Sequence, residues 1–234
     1  MKKSTLLVLL ITTILSSSSL LSAQDSGGSN QALLESTSNF YMTYNIKDTK
    51  AVGSPYLNKA FLPAHISAMP DKVFKVRYNA YDDEIEIEID EGNIQNFNKN
   101  IKGVVVTMLN DDLKFTSISY VDDINGLTRG YLTPLTENNK KVKLFSRKAI
   151  KLIEAKPAVT SYDKDKPAEF KVIGDTPYIS VNDAYARELP KNKKDIAKLF
   201  PENSKDVLNF IKKNKIKTSR EADLIKLINY LNTL

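Results

Sequence analysis

Two periodicities divide this chain. Over residues 75–90 apolar and polar side chains alternate: Val76, Tyr78 and Ala80 with Lys75, Arg77 and Asn79, then Ile85, Ile87 and Ile89 with Glu84, Glu86, Glu88 and Asp90. Successive side chains of a strand point to opposite faces, so this period of two predicts two half-buried strands joined as a hairpin. With Asp82 and Asp83 as the central turn residues, Arg77 falls opposite Glu88, Lys75 opposite Asp90 and Val76 opposite Ile89. Charge then meets counter-charge on one face and apolar meets apolar on the other. Further strands are expected at 104–109, 113–121, 130–135, 141–145, 170–173 and 178–181, separated by Asn, Asp, Gly and Pro. The Asp-Asp pairs that begin at 82, 111 and 122 read as turn residues, and residues 155–168, with Pro157 and Pro167, read as a long surface loop.

Beyond residue 190 the period changes to that of a helix. Ile196, Leu199 and Phe200 form one short apolar stripe, Val207, Leu208 and Ile211 a second, and Leu224, Leu227, Ile228 and Leu231 a third. Pro201 is expected to stop the first helix and Ser204 to start the second. Thr218, followed three residues later by Glu221, has the spacing of a reciprocal N-terminal cap for the third. The expected fold class is α+β: a mostly antiparallel β-sheet, curved into a sandwich or an incomplete barrel, followed by a short C-terminal helical segment.

The first residues carry a different signal. Lys2 and Lys3 precede the apolar run 6–15, and Ser16 to Ser19 with Ser22 and Ala23 supply small residues. That order is expected of a cleaved signal peptide over 1–23, the apolar run being well short of the roughly 20 residues a membrane-spanning helix needs. The expected organisation is a leader and N-terminal segment over 24–50, with 24–30 flexible, an antiparallel β domain over 51–190, and a basic helical appendage over 191–234 packed on it. The expected location is the periplasm, the cell surface or the exterior, with no transmembrane segment in the mature chain.

Charge sharpens this division. The whole chain carries a formal net charge of +6. Residues 191–234 hold eleven Lys and Arg against five Asp and Glu, whereas residues 24–190 hold 21 against 23, so the basic excess of the mature chain lies in its last fifth. Lys212, Lys213, Lys215 and Lys217 could meet phosphates, but Asp206, Glu221 and Asp223 interrupt the field and no aromatic residues interleave with it. They read as a solvated helix face, and no nucleic-acid partner is expected.

The candidate chemistry is sparse. There is no cysteine, which excludes disulfides, a lipidated cysteine and a thiol nucleophile, and His65 is the single histidine, so His/Cys zinc ligation within one chain is excluded. No glycine spacing matches a dinucleotide or phosphate loop. His65, flanked by Pro63 and Pro70 and without a nucleophile-elbow serine, reads as a surface or packing residue. Glu84, Glu86, Glu88 and Asp90 form the one obvious acidic cluster, but side chains on one strand face stand in a line about 7 Å apart and do not converge on a cation. Pairing with Lys75 and Arg77 accounts for them. Tyr131, Tyr178 and Tyr185 read as core or rim packing ahead of a sugar-stacking platform. No catalytic residue, metal ligand or cofactor is assigned.

Three short runs carry a resemblance: Gly53-Ser54-Pro55-Tyr56-Leu57-Asn58-Lys59-Ala60-Phe61, Arg77-Tyr78-Asn79-Ala80-Tyr81-Asp82-Asp83-Glu84, and Gly130-Tyr131-Leu132, together with the closing helices. They resemble a group of exported proteins of the Bacteroidota. The resemblance implies export in a Gram-negative cell and supplies neither an activity nor catalytic residues. The functional expectation is a non-catalytic binding or interaction protein of the cell envelope or exterior, its partner an envelope protein, a glycan or a lipid. The alternatives are a carboxylate-dependent hydrolase of cell-wall or polysaccharide material, and a lipid or membrane-surface carrier with an apolar cavity.

Overall fold

The computed structural model describes residues 40–43, 50–122, 126–160 and 162–234. The expected signal peptide, its cleavage site and the leader over 24–30 lie outside the described residues. The chain is strand-rich: β1 (Tyr41–Thr43), β2 (Leu62–Ile66), β3 (Met69–Asn79), β4 (Glu84–Asp90), β5 (Asn93–Phe97), β6 (Val105–Met108), β7 (Lys114–Asp122), β8 (Gly126–Pro134), β9 (Val142–Ile153), β10 (Glu169–Val181) and β11 (Ala186–Glu188). Three helices follow: α1 (Lys193–Lys198), α2 (Ser204–Lys213) and α3 (Glu221–Leu231).

The strands form one sheet in the order β1-β5-β4-β3-β2-β6-β7-β11-β10-β9-β8, and β8 returns to pair with β7. That last pairing closes β7, β11, β10, β9 and β8 into a small five-stranded barrel, so the barrel is complete rather than open. β7 belongs to both parts. Every ladder is antiparallel except β7–β11, which is parallel and pairs only Tyr120 with Ala186 and Val121 with Arg187. The sheet is therefore mixed.

The predicted hairpin forms, two residues out of register. Lys75 pairs with Glu88, Val76 with Ile87, Arg77 with Glu86 and Asn79 with Glu84, leaving a four-residue turn from Ala80 to Asp83. A shift of two keeps every side chain on its face, so alternation alone fits both registers equally. The turn chemistry decides: the Asn79 carboxamide oxygen accepts from the backbone N–H of Tyr81 and of Asp82, and Asp83 adopts φ +56°. These bonds close the loop one pair earlier than a two-residue turn would.

Three apolar clusters hold the molecule together. The sheet buries Ala64, Ile66, Val76, Tyr78, Ile85, Ile87, Phe97, Val106, Met108 and Phe115 against Tyr131 of the barrel strand β8. The sheet curls far enough for the Tyr131 hydroxyl to reach the Phe97 carbonyl on β5. Inside the barrel Tyr120, Leu132, Phe145, Tyr178 and Ala186 pack with Ile118. On the barrel's outer side Val142, Leu144, Ile179 and Leu189 meet Ile196, Val207, Ile211, Leu224, Leu227, Ile228 and Leu231 of the helices. The helical stripes read from sequence are the faces that are buried.

α2 begins at Ser204, as expected, but the start of the third helix differs. α3 is preceded by Arg220 without a side-chain cap, and the Thr218 hydroxyl donates instead to the Lys191 carbonyl. α1 ends at Lys198, while Pro201 opens a 3-10 turn (Pro201–Asn203) that leads directly into α2. Residues 170–173 and 178–181 belong to one strand, β10, with an irregularity between Val172 and Asp175. Among the described residues no helix is long and apolar enough to cross a membrane.

Candidate functional site

Three members of the expected acidic cluster form ion pairs, whereas Asp90, expected opposite Lys75, lies exposed at the end of β4 opposite Asn93. Glu84 meets Lys99 at 2.5 Å, Glu86 meets Arg77 at 2.7 Å, and Glu88 meets Lys75 at 3.2 Å. The Arg77 guanidinium also lies over the rings of Tyr56 and Phe61. Burial pushes the Glu84 carboxyl above its usual range, with Lys99 opposing and Asp83 and Asp82 reinforcing the shift. These carboxylates are structural partners. Among the described residues no group of three His, Asp or Glu could hold a metal. His65 is exposed on β2, and Lys212, Lys213, Lys215 and Lys217 all face solvent.

Asp83 does more than turn the chain. It is nine-tenths buried, and its carboxylate accepts from the hydroxyl of Tyr78 at 2.7 Å, the hydroxyl of Tyr120 at 2.9 Å and the backbone N–H of Tyr131 at 3.0 Å. A Cβ at Gly130 would lie 1.7 Å from the Asp83 carboxylate, so the glycine makes room for it. Burial, then the Asp83 charge, raises the Tyr78 and Tyr120 phenols above their ordinary value; for Tyr131 the causes are burial, then Glu84 and Asp83. Nearby, Arg147 holds Asp122 at 2.6 Å and lies over the Tyr120 ring. Burial alone would lower its pKa, but Tyr120, Asp83, Tyr178 and Asp122 together raise it. The whole set is satisfied and inward-facing, which makes it a fastening between sheet and barrel.

One chemically available place is where β7 leaves one neighbour for another. β6 pairs with β7 as far as Thr116, and β11 pairs with it from Tyr120 onward. Residues 117–119 keep β8 on one side and, among the described residues, have no strand on the other, apart from a bond from the Ser117 N–H to the Val104 carbonyl. A cavity of about 500 Å³ opens in this notch. Thr116, Ser117, Ile118 and Ser119 of β7, Arg129 of β8, Lys143 of β9 and Tyr185 of the β10–β11 turn line it, with Lys102 from the β5–β6 loop. Its volume lies within the range of small-molecule sites.

The notch is basic and rich in hydroxyls. Lys143 is neutralised by Asp183 at 2.5 Å. Lys102 and Arg129 have no acidic partner among the ion pairs of the described residues. The hydroxyls of Ser117 and Ser180 donate to the carbonyls of Lys99 and Ala184, which leaves their oxygens able to accept. Tyr178 lies in the barrel core and Tyr131 in the sheet core, as packing residues, while Tyr185 is 56% exposed at the rim of the notch.

Sequence reading passed over Arg129 and Lys102. Arg129 precedes the expected start of its strand, and nothing in a single sequence brings it near residues 102 and 185. A second cavity, about 460 Å³, lies between barrel and helices, lined by Asp175, Glu188, Lys191, Glu221 and the buried Ser146. Asp175 there is engaged by Lys148 at 2.7 Å. Scans of protein-family models, curated proteins and solved structures find nothing that matches this chain.

Proposed function

We propose that this is an exported, non-catalytic binding protein whose ligand enters the notch beside β7. The observation that carries the reading is the interrupted edge of β7, where, among the described residues, a strand has a neighbour at each end and none over 117–119, bordered by two cations that no described carboxylate pairs with. The basic, apolar and small-residue order of the first 23 residues, and the resemblance to exported proteins of the Bacteroidota, support export. Three of the four carboxylates read as candidates for catalysis, Glu84, Glu86 and Glu88, are held in ion pairs, which weighs against the hydrolase alternative. The barrel lumen is filled by Tyr120, Leu132, Phe145 and Tyr178, which weighs against an acyl-chain carrier.

The test is native mass spectrometry of the protein purified from its own envelope, beside a Ser119→Trp variant that fills the notch. A bound mass present on the wild type and absent from the folded variant is the expected result. Retention of the same mass by the variant, or no bound mass on the wild type, rejects the notch as the binding site.

A further inference from the structure

We infer that the notch takes a sugar bearing an anionic group, a carboxylate or a phosphate. The inference rests on the notch being the binding site and adds the chemistry of what it binds. Its strongest support is a comparison among the half-buried arginines. Arg77 holds Glu86 at 2.7 Å and Arg147 holds Asp122 at 2.6 Å. Arg129 is half-buried as well and holds no carboxylate among the described residues. A cation withdrawn from water without a counter-charge is costly, and an anionic ligand in the notch would supply the missing partner.

The other groups narrow the class. A guanidinium offers a planar fork that matches two oxygens of a carboxylate or a phosphate, and Lys102 adds a mobile point charge. Ser117, Ser119, Ser180 and Asn138 supply short hydrogen-bonding groups that suit ring hydroxyls. Tyr185, exposed at the rim, offers an apolar ring face with a polar tip. A bare inorganic anion would use the cations and leave the hydroxyls and the ring without a role. A neutral sugar would leave Arg129 unpaired.

The experiment titrates the isotope-labelled, envelope-purified protein with tetragalacturonate, glucose 6-phosphate, maltotetraose and inorganic phosphate, following backbone amides by NMR and affinity by calorimetry. Tetragalacturonate or glucose 6-phosphate should move the amides of Ser119, Arg129 and Tyr185 and bind more tightly than maltotetraose and inorganic phosphate. Which of the two binds better decides between carboxylate and phosphate. Added salt should weaken binding, since the contacts are ionic and partly exposed. Arg129→Gln should raise Kd roughly 10- to 100-fold, as loss of a charge-assisted hydrogen bond does. The exposed Lys102→Gln should raise it a few-fold and serves as the second variant if Arg129→Gln does not fold. Equal affinity for maltotetraose, an unchanged Kd in both variants, or still notch amides with both acidic sugars would overturn the inference. If envelope-derived ligand is nevertheless displaced by Ser119→Trp, only the ligand class falls; if no ligand occupies the notch, the binding reading falls with it.

Discussion

Gly130 is fixed by what it faces. Its missing Cβ leaves the space that the Asp83 carboxylate fills, 1.7 Å from where that carbon would stand. Gly130→Ala must push Asp83 off the Tyr78 and Tyr120 hydroxyls and the Tyr131 N–H. Overpacking and buried groups left unpaired together set a loss of about 2–5 kcal/mol, read as a lower urea midpoint with an unchanged slope. A wild-type midpoint would mean that Asp83 is not held there. Asp83→Asn should cost less than Asp83→Ala, because asparagine tolerates the positive φ of +56° and keeps an acceptor.

The same residues set a pH dependence. Tyr78, Tyr120 and Tyr131 have phenols raised by burial above the ordinary value, so the unfolded chain loses these protons first as pH rises. Their contribution is complete below about pH 10, the unfolded value, and declines above it by ~1.4 kcal/mol per pH unit for each tyrosine. Unfolding free energies compared at about pH 9 and about pH 11 should show this fall, and equal values would place the three phenols in water. None of this was legible in the sequence. Asp82 and Asp83 look alike there, and only the fold shows that one is a turn residue while the other is a buried acceptor for a strand some 50 residues away.

At the scale of elements, the helices were the most legible part. Apolar positions three and four apart can share a face only in a helix, and all three stripes are buried on the barrel. The start of α3 was less legible, because the Thr218 hydroxyl donates to the Lys191 carbonyl and leaves the local cap unmade. β1, β2, β5 and β11 were not anticipated: Tyr41–Thr43 and Ala186–Glu188 have three residues each, Leu62–Ile66 contains Pro63 and His65, and Asn93–Phe97 is largely polar. One polar residue fastens α3 to the barrel. The Asn232 carboxamide accepts from the Val142 N–H and donates to the Val142 carbonyl, standing in for a strand neighbour. Asn232→Ala strands both groups and should cost about 2–4 kcal/mol. Hydrogen exchange should quicken in α3 and at Val142 while Ile85 and Ile87 stay protected; uniform protection everywhere would count against the fastening.

For the whole molecule, alternation announced strands but not how they close. Period two reports which face is buried and is silent about which strands neighbour each other, so a sandwich and an open barrel were both compatible with it. The choice lies in a non-local pair, β7 with β11, which closes the run of neighbouring hairpins from β7 to β11. Since β7 runs through both the sheet and the barrel, and Asp83 ties one to the other, the two should unfold together. Far-ultraviolet circular dichroism and tyrosine fluorescence should give superimposable urea transitions. Separate midpoints would show that the shared strand does not couple them.

The parallel β7–β11 ladder also gives the chain a sense of time. Tyr120 waits for Ala186, roughly 65 residues further on, before its open edge is covered. Whenever the chain is delivered from its N-terminus, by a ribosome or through a membrane pore, β6 and β8 are already beside β7 while its remaining edge stands bare. That interval is when a foreign strand could pair there, and a chaperone that shields residues 117–122 would act on the same edge that the finished fold leaves partly open. The notch is the stretch of that edge which neither the early neighbour nor the late one reaches.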